Sequence, residues 1–314
     1  MPDILIAVLK LVAGFVLLIK GADFFVEGSS SVAKKFRIPS IIIGLTIVAM
    51  GTSLPECAVS ITASLNNNNA LAVSNVVGSN IFNLMVVCGV CAVFSTMHIK
   101  KSSLLQEFPL SILCAVLLLG LGYFGMELGR IDGMVLLVIF IAYLLWMIYS
   151  AKKNRTELEE GEEYKIYPMW KCILFIVGGA AAIKFGGDFV VDGACVVAAK
   201  FGLSENLIGL TIVALGTSLP ELVTSIVAAR KNEVDMALGN AIGSNIFNIL
   251  LVLGISAAIS PVAFIQENII DIIILIGVSV ITWLMAWRKK KLERPEGIIM
   301  VLLYAADLVY ICLR

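Results

Sequence analysis

GLTIVAMGTSLPE at residues 44–56 and SNVVGSNIFN at 74–83 return later in the chain as GLTIVALGTSLPE at 209–221 and GNAIGSNIFN at 239–248. The blocks align without a gap at a constant offset of 165, and 24 of 40 positions are identical. The likeness extends upstream, where GADFFVEG at 21–28 faces GGDFVVDG at 186–193. Self-similarity on this scale marks a duplicated unit, so the fold has to be read in halves.

The residues around the repeat say what solvent it lives in. Of the 314 residues 60% are hydrophobic and 15% charged, with a mean hydropathy of +0.99. A soluble domain carries about 25% charged residues. Apolar runs long enough for a bilayer, which needs roughly 20 residues, predict ten spans at 4–25, 38–65, 70–96, 103–125, 131–150, 168–190, 203–229, 234–260, 265–287 and 295–313. The hydrophilic run KKNRTELEEGEEYK at 152–165 separates two sets of five. The expected organisation is a first five-helix repeat at 1–151, a cytoplasmic connecting loop at 152–167 and a second repeat at 168–314. Because residues 21–36 recur, the N-terminal apolar run reads as part of the architecture rather than as a signal peptide.

Five spans lie between equivalent positions, an odd number, so the two copies enter the membrane from opposite sides. The predicted fold is an all-α polytopic membrane protein of ten transmembrane helices arranged as two inverted five-helix repeats. Sixteen Lys and Arg residues fall on one side of this topology, against Arg130, Lys200 and Arg314 on the other. Positive loops stay in the cytoplasm, which places both termini outside and the central loop inside. The zero net charge offers nothing to nucleic acid. The seven cysteines lie mainly in apolar segments and suggest neither a disulfide framework nor a zinc site.

The repeat puts one acid per copy, Glu56 and Glu221, deep in an apolar helix. A charge there costs at least ~2.5 kcal/mol, and the neighbours indicate that a cation offsets it. Thr52 and Ser53 precede Glu56 by four and three residues and share its helix face, as Thr217 and Ser218 do for Glu221. Pro55 and Pro220 lack an N–H and clash with the carbonyls of Gly51 and Gly216, which is expected to free carbonyls around Ala49–Gly51 and Ala214–Gly216. One face carries Ser79 with Asn83, and its copy carries Ser244 with Asn248. All these donors are hard oxygens, which suit calcium with its roughly 6–8 ligands and not copper or zinc. Asn75, Asn80, Asn240 and Asn245 suit hydrogen bonding between helices better than ion contact. Asp23, Glu27, Asp188 and Asp192 suit interfacial pairing with Lys20 and Lys184. His98 reads as interfacial, and the acidic run Glu157–Glu163 as a solvated loop without EF-hand spacing.

The doubled motif resembles the two repeats of the cation/calcium exchanger superfamily, and the ten-span form is similar to prokaryotic sodium/calcium exchangers. The resemblance implies that Glu56 and Glu221 bind Ca2+ at a central site completed by Asn83 and Asn248. It implies flanking Na+ sites at Ala49, Thr52, Ser53 and Ser244, and at Ala214, Thr217, Ser218 and Ser79. Some members, including potassium-dependent ones, carry aspartate where this chain has Asn248, so potassium co-transport is disfavoured. The expected function is Na+/Ca2+ antiport by alternating access in a prokaryotic inner membrane. Ca2+ and Na+ are then the transported partners in a lipid bilayer, with no cofactor, no obligatory protein partner and no enzymatic activity. The alternative is a proton-coupled Ca2+ or cation antiporter, since the same two carboxylates can carry protons. A channel would present rings of ligands from several subunits, which an internal two-fold plan does not offer.

Overall fold

The computed structural model describes residues 2–65, 69–153, 166–202 and 214–313. Among them, eight helices are long and apolar enough to cross a bilayer, and Ser40–Thr52 with Leu54–Leu65 makes a ninth, bent by 50°. Of the expected seventh span, 203–229, the stretch 203–213 lies outside the described residues. Its remainder forms the short helices Ala214–Thr217 and Leu219–Arg230. The loop run 154–165, with the acidic residues 157–163, and Arg314 also lie outside them.

Two helices exceed their expected lengths. Pro2–Phe36 runs for 35 residues and Met169–Lys200 for 32, where the hydropathy had suggested 4–25 and 168–190. No proline stands between Pro2 and Pro39 or between Pro168 and Pro220, so nothing ends either helix at its acidic residues. At 1.5 Å per residue each is on the order of 50 Å long, against a hydrocarbon core of about 30 Å. The two pack antiparallel along most of their length. A methyl group built on Gly14 would sit 2.8 Å from the Gly186 carbonyl oxygen, one on Gly21 3.0 Å from that of Gly179, and one on Gly193 2.7 Å from that of Ala7. Gly14, Gly21 and Gly28 are seven apart and so fall on one face. Only hydrogen fits between these backbones, which is how small residues let membrane helices meet closely.

The outer faces of this bundle are apolar. Leu5, Leu9, Val12, Val138, Leu145, Leu174 and Leu302 are all exposed. Such a surface is incompatible with water and natural in hydrocarbon, so the chain is an integral membrane protein. At the centre stand Ala72–Phe94 and Val234–Ile259, both mostly buried. Gly44 and Gly239 bring Ser40–Thr52 into backbone contact with Val234–Ile259. Each central helix loosens into a π-helical turn, Asn83–Cys88 and Asn248–Val252, a distortion frequent at functional sites. Two short antiparallel pairs tie connecting segments together. Met97 and His98 face Leu292 and Lys291, and Glu127 and Leu128 face Ala263 and Val262. His98 is exposed there.

Candidate functional site

The bend in each copy falls on a serine. Ser53 (φ −83°, ψ 12°) separates Ser40–Thr52 from Leu54–Leu65, and Ser218 (φ −96°, ψ 4°) separates Ala214–Thr217 from Leu219–Arg230. Pro55 and Pro220 then occupy the first turn of the new helix, where a missing N–H removes no bond. Glu56 and Glu221 follow in the same turn. The positive end of the helix dipole favours a carboxylate there by about 0.3–1 kcal/mol, which falls short of the cost of burying the charge.

The two acids meet across the repeat. Ser53 donates to Glu221 Oε1 at 2.8 Å, and Ser218 donates to Glu56 Oε1 at 3.0 Å. Ser79 also reaches Glu56 Oε1, at 3.5 Å, and lies 3.1 Å from the Ser218 hydroxyl. Each acid is therefore held by the serine at the other copy's break. Glu56, Glu221, Thr52, Ser53, Ser218, Ser244, Asn83 and Asn248 are fully buried, and Ser79 nearly so. Glu56 Oε2, Glu221 Oε2, Asn83 Oδ1, Asn248 Oδ1 and the Ser244 hydroxyl make no hydrogen bond among the described residues. Burying an unpartnered polar oxygen in a dry interior costs free energy, and a charged one more; two carboxylate and two amide oxygens on two mirrored pairs of residues form a pattern.

The expectation of free carbonyls needs correction at Ala49. Its oxygen accepts the Ser53 N–H at 3.0 Å, and the Thr52 hydroxyl lies 3.3 Å away. The helix before the bend keeps this bond, two residues ahead of Pro55, so at most the second lone pair of Ala49 is available. In the other copy Leu215 accepts from the Ser218 N–H at 3.2 Å. Thr217 lies in the last turn before that bend, and Ala214 opens the same short helix. Thr52 also reaches Asn240 Oδ1, at 3.1 Å.

The four remaining asparagines bond between segments, as the sequence suggested. Asn75 donates to the Glu56 carbonyl and to Ser60, and Asn240 donates to the Glu221 carbonyl and to Ser225. Asn80 and Asn245 bond to each other's backbone and to Asn248 and Asn83. Among the described residues no three His, Cys, Asp or Glu side chains form a metal cluster. The buried cluster offers two carboxylates and otherwise neutral oxygens.

The acids on the long helices are paired, with one change of partner. Lys184 pairs with Asp188 as expected, and Lys10 with Asp192 at 2.9 Å. Asp23 pairs with Lys231 at 3.0 Å rather than with Lys20, and Glu27 accepts from the Tyr167 hydroxyl. Asp188 and Asp192 line a cavity of about 410 Å3 with Lys184, Thr217, Pro55 and Pro220, which reaches both helix breaks. Sequence reading passed over two acids. Glu233 accepts from Ser30, and from Ser40 at 2.8 Å, beside Lys34 at 3.1 Å. Burial pushes its carboxyl up, but the two serines and Lys34 outweigh this and hold it below the usual range. Glu107 is buried in the π-helical turn Ser103–Glu107, with Oε2 unbonded. Its place beside the charged run at a span's start gave no sign of burial.

A helical membrane protein with a buried, oxygen-only cluster shared by two copies of one motif is the class that this fold and geometry define. The chain belongs to the sodium/calcium exchanger protein family, whose model matches residues 6–149 and again 171–313. It is 36% identical to the inner membrane protein YrbG of Escherichia coli K12, over 98% of this chain and 97% of the relative. It is 32% identical to the sodium/calcium exchanger MaX1 of Methanosarcina acetivorans, over 96% and 97%. Among solved structures it matches the sodium-calcium exchanger NCX_Mj with a TM-score of 0.85 and 31% identity, covering 98% of this chain and 99% of that one.

Proposed function

We propose that the protein is a secondary active antiporter that exchanges Na+ for Ca2+ by alternating access. The observation that carries this reading is the set of four buried oxygens without hydrogen bonds among the described residues, Glu56 Oε2, Glu221 Oε2, Asn83 Oδ1 and Asn248 Oδ1. In this reading the two acids and two asparagines hold Ca2+. Ala49, Thr52, Ser53 and Ser244 hold Na+ on one flank, and Ala214, Thr217, Ser218 and Ser79 on the other. Either load neutralises the two carboxylates, whereas the empty site carries two charges into an apolar barrier. Only loaded forms then switch sides, and sodium moving down its gradient expels calcium.

The architecture proposed for this is ten spans in two inverted five-helix repeats, 1–151 and 168–314, joined by a cytoplasmic loop, with both termini outside. It is supported by the reciprocal Ser53–Glu221 and Ser218–Glu56 bonds and by the antiparallel long helices. The setting is a lipid bilayer, the inner membrane of a prokaryote, with no obligatory protein partner and no catalytic step.

The test is flux in liposomes. Vesicles holding the pure protein and loaded with Na+ are diluted into Na+-free buffer, and Ca2+ uptake is followed. Uptake should require the Na+ gradient and vanish in Glu56→Gln and Glu221→Gln. Uptake driven equally by a pH gradient would assign the protein to proton coupling. Uptake indifferent to either gradient would make it a channel.

A further inference from the structure

We propose that Asn80 and Asn245 are positioning residues that fix which end of the Asn83 and Asn248 amides faces the cation. This rests on the reading of Asn83 and Asn248 as ligands given above. An amide has two ends of nearly equal size and opposite polarity. Its oxygen binds a cation and its NH2 group repels one, so a half-turn about the last side-chain bond converts a ligand into a barrier. Something must choose the orientation.

The choice begins at two groups that can only accept. Asn80 Nδ2 donates to the Asn245 carbonyl at 3.1 Å, and Asn245 Nδ2 donates to the Asn80 carbonyl at 3.1 Å. A backbone carbonyl cannot donate, so both amides are locked with their nitrogens toward the backbone. Their oxygens are then obliged to accept. Asn245 Oδ1 takes the bond from Asn83 Nδ2 at 3.1 Å, and Asn80 Oδ1 takes that from Asn248 Nδ2 at 3.1 Å. Asn83 and Asn248 are left with their oxygens turned away from the relay, and those are the two buried amide oxygens without a partner among the described residues. All four side chains are essentially inaccessible to solvent, so water does not compete for these bonds. Each half of the chain thereby orients the ligand of the other half.

The relay also bears on the charge of the site. It needs a donor at positions 83 and 248. An ionised aspartate there would set its lone pairs against those of Asn245 or Asn80, which cannot turn without abandoning a buried carbonyl. The neutral pair and the two-carboxylate count are thus enforced from one layer further out.

The experiment is Ca2+ binding to the purified full-length protein by calorimetry, without any gradient. Asn245→Leu removes the acceptor for Asn83, and its dissociation constant for Ca2+ should rise at least tenfold. Asn245→Asp keeps the acceptor for Asn83 and, as the neutral acid, an O–H donor to the Asn80 carbonyl in place of the amide NH2, so it should stay within threefold of the wild type. Asn80→Leu and Asn80→Asp should repeat the contrast through Asn248. Equal weakening by Leu and Asp, or none by Leu, overturns the relay. Where the Leu variants fail to fold, Asn83→Asp decides. The relay requires that this extra carboxylate bring no gain in affinity, and tighter Ca2+ binding would overturn it. A wild type that binds Ca2+ but does not exchange it removes the antiport reading and leaves the relay standing. A wild type that binds no Ca2+ removes both.

Discussion

The two ends of the long-helix pair carry the same acids in different company. Asp23 and Glu27 at one end correspond to Asp188 and Asp192 at the other. Asp188 and Asp192 are paired from within the pair of long helices, by Lys184 on the same helix and by Lys10 on its partner. Asp23 instead reaches Lys231, which follows the helix Leu219–Arg230 of the core. None of the three lysines has a basic counterpart, since Lys184, Lys10 and Lys231 correspond to Ile19, Phe175 and Asn66. An ion pair inside a unit moves with it and resists nothing, whereas a pair between units must break when they part. The Lys184 end borders the 410 Å3 cavity, while at the Lys231 end Lys34 and Ser40 close further bonds on Glu233. At the buried centre the copies are near-identical, and around the acids of the long helices they differ.

The site itself offers the largest test of that contrast. Glu56→Gln and Glu221→Gln each remove a buried charge whose loss costs about 3–5 kcal/mol. Either should lower Na+-driven Ca2+ flux by about two to four orders of magnitude, and by similar factors. Ser53→Ala and Ser218→Ala each delete one bond to the opposite carboxylate, worth about 1.5 kcal/mol or more. Both should raise the half-saturating Ca2+ concentration roughly tenfold, and a large disparity between the mirrored variants would break the symmetry of the centre. Lys231→Met should loosen only its own end. Its pair is partly exposed and worth about 0–1 kcal/mol, so amide hydrogen exchange over residues 23–36 should quicken by up to about fivefold. Lys184→Met should leave residues 188–200 unchanged.

The smallest effect concerns acid. Glu233 has its carboxyl held below the usual range by Ser30, Ser40 and Lys34, against the opposing pull of burial. Its folded value lies below its unfolded one, about 4.3. The stabilisation is therefore complete above that value and is lost as pH falls through the folded one. Thermal melts below about pH 4.3 should show a decline that Glu233→Gln flattens.

Sequence alone exposed the centre because duplication printed it twice. GTSLPE and GSNIFN are legible as a proline-bent helix with a buried acid and as a small-residue helix with amides. The periphery is less legible for physical reasons. That Asp23 prefers Lys231 to Lys20 depends on where a loop 208 residues away arrives. The length of Pro2–Phe36 was hidden because hydropathy falls at Asp23 while no proline stops the helix before Pro39. The carbonyl of Ala49 looked free because proline placement marks a broken ladder without showing that the helix before the bend keeps this bond. Amide polarity at Asn83 and Asn248 depends on four side chains at once, and no spacing encodes it.

The crossed bonds also set a schedule for the growing chain. Ser53, Glu56, Asn80 and Asn83 all find partners about 165 residues later. At a synthesis rate of roughly 5–20 residues per second, the first half emerges from the ribosome about 10–30 s before its counterparts. Through that interval a carboxylic acid and several amides wait in or beside the bilayer with their final partners unmade. The protein is thus most exposed to membrane quality control before its second half arrives.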